Sequence, residues 1–233
     1  MPRNVMIFAA GFGTRMRELT KTTPKPLLEV DGTTLLDHAI NAADRAGLQK
    51  KIVNVSYLGQ QIVAHLKHRR DILISEEGDH ALETGGGLKK ALPLLGENPV
   101  FTMNPDAIWT GANPFAELLA AWDPERMDGL LLLQPLETAI SHAGKGDFTL
   151  APDGHLKRFA GEGRAFVNTG VEIICTDLVS AQDAEAFSLN LVWDQMLRSR
   201  RLFGVVHNGG WVDVGTPEGI TAANDHLNGQ VDV

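Results

Sequence analysis

The chain has 233 residues, 43% of them hydrophobic, and carries 21 Lys and Arg against 29 Asp and Glu for a net charge of −8. That length and apolar content suffice for a real core and exclude disorder, while acidity without a basic run argues against nucleic-acid or membrane-surface binding. Cys175 is the one cysteine, so no intrachain disulfide forms and a reducing, cytoplasmic setting is expected.

The run 5–10 is continuously apolar and closes on Gly11, as a strand buried on both faces does. It is too short for the core of a signal peptide, and no stretch approaches the ~20 apolar residues of a membrane span. Leu35, Leu36, Ala39, Ile40, Ala43 and Ala46 recur at helical spacing. Thr34 and Asp37 are set for a capping box there, and Gly47 stands where the helix should stop. Strands are predicted at 51–55, 71–75, 100–103 and 130–133. They alternate with helices around Ile62, Val63 and Leu66, at 88–95 and at 114–122, which predicts parallel βαβ units. After Pro135 come short β-like runs at 148–150, 156–159 and 166–174, predicting a small antiparallel sub-sheet beside the parallel one. A helix at 191–198, a strand at 202–206 and a last helix opened by Thr216 and Pro217 follow. The expected fold is a single α/β domain over 1–233, Rossmann-like with a mostly parallel sheet.

The first strand empties into Ala9, Ala10, Gly11, Phe12, Gly13, Thr14, Arg15 and Met16. Such a glycine loop exposes backbone N–H groups that cradle phosphate oxygens. Arg15 can fork onto a polyphosphate, and Lys25, between Pro24 and Pro26, adds a point charge. Met16 stands where a dinucleotide fingerprint needs its third glycine, and no GxxxxGK[ST] loop occurs. Asp106 follows the 100–103 strand, at the crevice where open α/β sheets bind ligands; Pro105 separates it from Asn104 and stiffens the turn. Asp213 sits among Trp211, Val212, Val214 and Gly215. Gly85, Gly86 and Gly87 open a helix after Glu76 and Glu77, allowing close approach by a base or ribose. The eight histidines form no ligand cluster, and His65 and His68 read as solvated.

The spaced pattern A-A-G-x-G-T-R-M followed by P-K-P-L resembles the signature of the sugar nucleotidyltransferases, the nucleoside-diphosphate-sugar pyrophosphorylases. The resemblance implies a nucleotide-binding half at about 1–135 and a sugar-binding half at about 136–233. It also implies transfer of a nucleotidyl group from a nucleoside triphosphate to a sugar 1-phosphate, with release of pyrophosphate. Asp106 and, through a W-x-D-x-G-T segment, Asp213 would hold Mg²⁺, and Arg15 and Lys25 would act on the phosphates. Ala10, Gly11, Phe12, Gly13 and Thr14, with Glu77, Glu83 and Gly85, would surround the nucleotide. Asn104, Asp147, Glu162 and, through an N-T-G segment, Asn168 would meet the sugar. The segments L-E-T-G-G-G, G-x-G-D-F and W-V-D-V-G-T are most similar to uridylyltransferases of cell-wall recycling that act on N-acetylmuramate 1-phosphate, which implies UTP. Mannose- and heptose-1-phosphate guanylyltransferases resemble the chain too. A carboxylated sugar calls for an added cation, for which Lys145, Lys157 and Arg158 are available. A regulatory subunit without catalysis should lack one of Arg15, Lys25, Asp106 or Asp213, and all four are present. A monomer or homodimer is expected, with no nucleic-acid or membrane partner.

Overall fold

A computed structural model describes residues 1–78 and 82–229. Asn4–Phe8 lies inside a nine-stranded sheet, parallel to Lys50–Val55 on one side and to Val100–Met103 on the other. Ile72–Glu76 extends the first side in parallel. Side chains alternate across the sheet, so Val5 and Ile7 enter one core while Met6 enters the other. The helices Leu35–Arg45, Gly59–Leu66 and Pro114–Ala121 contribute to the first core, and Glu83–Leu95 and Leu189–Arg198 to the second. The first strand ends earlier than its apolar run because Ala9 leaves the ladder, its N–H donating to Asn54 Oδ1 at 2.6 Å.

Helix Leu35–Arg45 shows how local chemistry sets an element's ends. Thr34 Oγ1 accepts the Asp37 N–H at 3.1 Å and donates to Asp37 Oδ2 at 2.7 Å, a cap of about 1 kcal/mol. Gly47, at φ 71°, turns the chain out at the other end. His65 is not simply solvated, because its Nε2 lies 2.9 Å from Asp37 Oδ2.

The later half supplies the expected antiparallel strands, and they are continuous with the main sheet. Its longest strand, Phe166–Ile174, runs antiparallel inside the main sheet, between Val100–Met103 and Gly129–Pro135. Leu202–Val206 pairs in parallel with Gly129–Pro135, and the antiparallel pair Phe148–Leu150 and Leu156–Arg158 forms an edge. A second sheet of three short strands, Ala107–Trp109, Trp211–Asp213 and Ala139–Ile140, is absent from the sequence reading. Strands of two or three residues carry too little alternation to be seen. Among the described residues no helix is long and apolar enough to cross a membrane.

Glu172, 2% exposed, accepts from Thr102 Oγ1 at 2.9 Å and from Trp193 Nε1 at 2.8 Å. Burial pushes its pKa up from 4.5 to about 7, and the two donors only partly oppose that rise. The fold therefore prefers the neutral acid: this stabilisation is complete below 4.5 and is lost as pH rises through about 7. Glu172→Gln keeps both partners without the charge. It should raise the thermal midpoint above wild type at about pH 8 and change it little at about pH 5. An equal gap at both pH values would mean that Glu172 does not titrate in this range.

Candidate active site

A cleft of about 340 Å³ opens at the C-terminal ends of the parallel strands, where side chains from several loops converge. Ala10, Gly11, Phe12, Gly13 and Thr14 form one wall. Gly13 has φ 61°, and a Cβ there would come within 2.9 Å of Lys25 Cβ, so glycine lets the loop lie on the lysine. The N–H groups of Gly11, Phe12, Gly13 and Thr14 have no acceptor among the described residues. Donors grouped in this way suit an anion.

Lys25, 9% exposed, donates from Nζ to Asp106 Oδ2 at 2.6 Å, and both line the cleft. Asp213 comes from far along the chain. The antiparallel ladder sets Asp213 opposite Ala107, and the Val214 N–H donates to the Asp106 carbonyl at 2.9 Å. The two residues therefore occupy neighbouring rungs; Asp106 lines the cleft, whereas Asp213 does not and reaches its edge beside Gly215, which does. A Cβ on Gly215 would lie 2.6 Å from an Arg15 guanidinium nitrogen and 2.8 Å from Asp213 Oδ1, so the bare glycine makes room for both.

Burial works against the charge of Asp213, yet its carboxyl is held below the usual carboxylate range. The His142 hydrogen bond and charge outweigh that burial, helped by Arg15 and the Gly215 N–H. His142 Nδ1 lies 2.9 Å from Asp213 Oδ2. An ionised carboxylate only accepts, so Nδ1 carries the proton.

The opposite wall is built on Asn54, a residue the sequence reading missed. Its Oδ1 accepts from Ala9 N–H at 2.6 Å and its Nδ2 donates to Glu77 Oε1 at 2.5 Å, tying the glycine loop to the buried Glu77. A polar side chain interrupting the apolar end of the strand Lys50–Val55 was the available signal. Glu83 also lines the cleft and holds φ 58°, an unusual conformation for a non-glycine residue.

Gly85, expected beside the nucleotide, is turned to a different neighbour. Its N–H and that of Gly86 donate to Phe187 O at 2.8 and 3.1 Å, and a Cβ on Gly85 would overlap the Phe187 ring. Close approach is indeed what these glycines permit, but the approaching group is the chain itself.

On the remaining side, the Asn104 N–H donates to Gly170 O at 2.8 Å and the Gly170 N–H to Asn168 Oδ1 at 3.0 Å. The Asn168 N–H donates to Asp147 Oδ2 at 2.8 Å, so Asn104, Asn168 and Asp147 belong to one network. Glu162 is exposed on a turn between Gly161 and Gly163 and does not line the cleft. Of the three candidate cations, Arg158 is engaged by Asp194 at 2.8 Å and stacks on Phe148, while Lys145 and Lys157 are exposed.

The profile of the MobA-like NTP transferase domain matches residues 5–139. N-acetylmuramate alpha-1-phosphate uridylyltransferase of Caulobacter vibrioides is 42% identical over 237 residues, covering 97% of each chain. The chain belongs to the sugar-1-phosphate nucleotidyltransferases. The N-acetylmuramate alpha-1-phosphate uridylyltransferase of Neisseria meningitidis serogroup B is 36% identical to this nucleotidyltransferase, over 91% of it and 92% of the relative. HddC from Yersinia pseudotuberculosis, complexed with GMP-PN, shares the fold with a TM-score of 0.78 at 20% identity, over 97% of this chain and 99% of its own. In the nucleotidyltransferase the lone thiol is a poor nucleophile: burial, with Asp128 beside it, pushes Cys175 up to about 11.

Proposed function

We propose that the chain transfers the uridylyl group of UTP to N-acetylmuramate 1-phosphate with Mg²⁺, as a cytoplasmic enzyme of cell-wall recycling. The observation that carries the substrate choice is the 42% identity, over nearly the whole chain, with a relative named for that reaction.

The donor set fits a hard divalent cation. Asp106 and Asp213 supply carboxylates from neighbouring rungs, and the Lys25 ammonium already stands as a cation on Asp106. Mg²⁺ needs only one or two protein carboxylates and completes its shell with water and phosphate oxygens. When bound, it supplies charge neutralisation across the phosphates.

In the reaction, an oxygen of the sugar phosphate bonds to the α-phosphorus as the bond to the β-phosphate oxygen breaks in line. Pyrophosphate leaves with the electron pair. Positioning and charge do the chemical work, with no covalent nucleophile. The loop amides of Gly11–Thr14 and Lys25 hold the phosphates, and Arg15 neutralises the leaving pyrophosphate. With Oε1 of Glu77 engaged by Asn54, Oε2 is left to accept from uracil N3–H. Asn104, Asn168 and Asp147 face the sugar.

Equal UTP and GTP, offered together with N-acetylmuramate 1-phosphate and mannose 1-phosphate, separate the candidate substrates. The expected product is UDP-N-acetylmuramate, in excess over GDP-mannose by roughly 100-fold. A predominance of GDP-mannose would overturn the uridylyl assignment and leave nucleotidyl transfer standing.

A further inference from the structure

His142 has no part in the reading from sequence, yet the fold carries it to the carboxylate of Asp213. Ala139–Ile140 pairs in parallel with Trp211 and Val212, so the residues that follow run beside Asp213. Ser141 takes φ 59° on the way. At Gly144 any Cβ would strike the His142 ring, and the ring also lies 5.8 Å from that of Trp211. The imidazole is thereby packed, and its side chain is only 17% exposed.

The two oxygens of Asp213 have different neighbours. Oδ2 receives the His142 Nδ1 proton at 2.9 Å. Oδ1 lies beside Gly215 and Arg15, both of which line the cleft. A carboxylate with one oxygen fixed from behind presents the other in a defined direction, which is how outer hydrogen bonds prepare a ligand. Resting on the assignment of Asp213 as a metal ligand, we infer that His142 is a positioning residue that holds Oδ2 so that Oδ1 faces the cation.

The test compares His142→Ala, His142→Asn and His142→Gln with Asp213→Asn. Asn places its amide N–H close to where Nδ1 stands, whereas Gln projects it further out. Mn²⁺ binding to the free chain is followed by electron paramagnetic resonance, alongside the Mg²⁺ concentration for half-maximal activity and the melting temperature. His142→Ala and His142→Gln should weaken Mn²⁺ binding and raise the Mg²⁺ requirement by roughly 10- to 100-fold. His142→Asn should stay within a few-fold of wild type, and saturating Mg²⁺ should restore most of kcat in all three. Should His142→Ala fail to fold, the contrast between Asn and Gln decides. Wild-type metal dependence in His142→Gln, with Asp213→Asn crippled, overturns the role of His142 alone. Unchanged metal binding in Asp213→Asn instead overturns the metal assignment beneath it.

Discussion

Asp106→Asn and Asp213→Asn should each lower kcat by roughly a thousandfold, about 4 kcal/mol at ~1.4 kcal/mol per decade. Each substitution keeps the shape of the side chain and removes one of the two anionic charges proposed to share the cation. Neither residue belongs to an apolar core cluster, and Asp106 is a third exposed at its side chain. The fold should persist. Asp106→Asn also leaves Lys25, 11% exposed at its side chain, without an acid. Its melting temperature should therefore fall by a few degrees, at ~2–4 °C for each kcal/mol in a chain of this size. Full activity of Asp106→Asn in excess chelator would remove the metal from the account.

Arg15→Ala should reduce kcat/KM by roughly 100- to 1000-fold, the scale of losing one preorganised donor at a developing charge. Arg15→Lys should recover little, because a point charge cannot replace two parallel N–H bonds to a phosphate. Arg15 is exposed, so either change should leave stability within about 0.5 kcal/mol of wild type. Gly215→Ala tests the same corner without altering any charge, since the added methyl would press on the guanidinium at 2.6 Å and on Asp213 Oδ1 at 2.8 Å. Its efficiency should fall below that of wild type. Wild-type efficiency in Arg15→Ala would show that the leaving phosphate is neutralised elsewhere.

Much of the architecture was legible because the parallel strands are buried on both faces and appear as unbroken apolar runs. Val5–Ile7 and Leu130–Leu133 are of this kind, and Thr34 and Gly47 mark the ends of a helix. Arg15, Lys25 and Asp106 stood out because strand ends and glycine loops advertise their position locally, and the fold brings them to one cleft. What stayed hidden depends on pairing across the chain. Asp213 approaches Asp106 only through the ladder of Trp211–Asp213 with Ala107–Trp109. His142 lies in a loop without periodicity, placed by two paired residues. At Gly85 a glycine announces that something comes close and not what; one such neighbour is Phe187.

The ladder that joins Ala107–Trp109 to Trp211–Asp213 has a bearing on biosynthesis. Asp106, Lys25 and the glycine loop are all made early, and the strands that carry them can pair as soon as Val100–Met103 has emerged. The second carboxylate arrives only when translation reaches Asp213, long after Asp106 has been made. A chain stopped between the two would thus own the proposed phosphate cradle with half of the proposed metal-holding pair. On the proposed assignment, competence waits for the strand Trp211–Asp213, and a product that stops before it should have no route to the reaction.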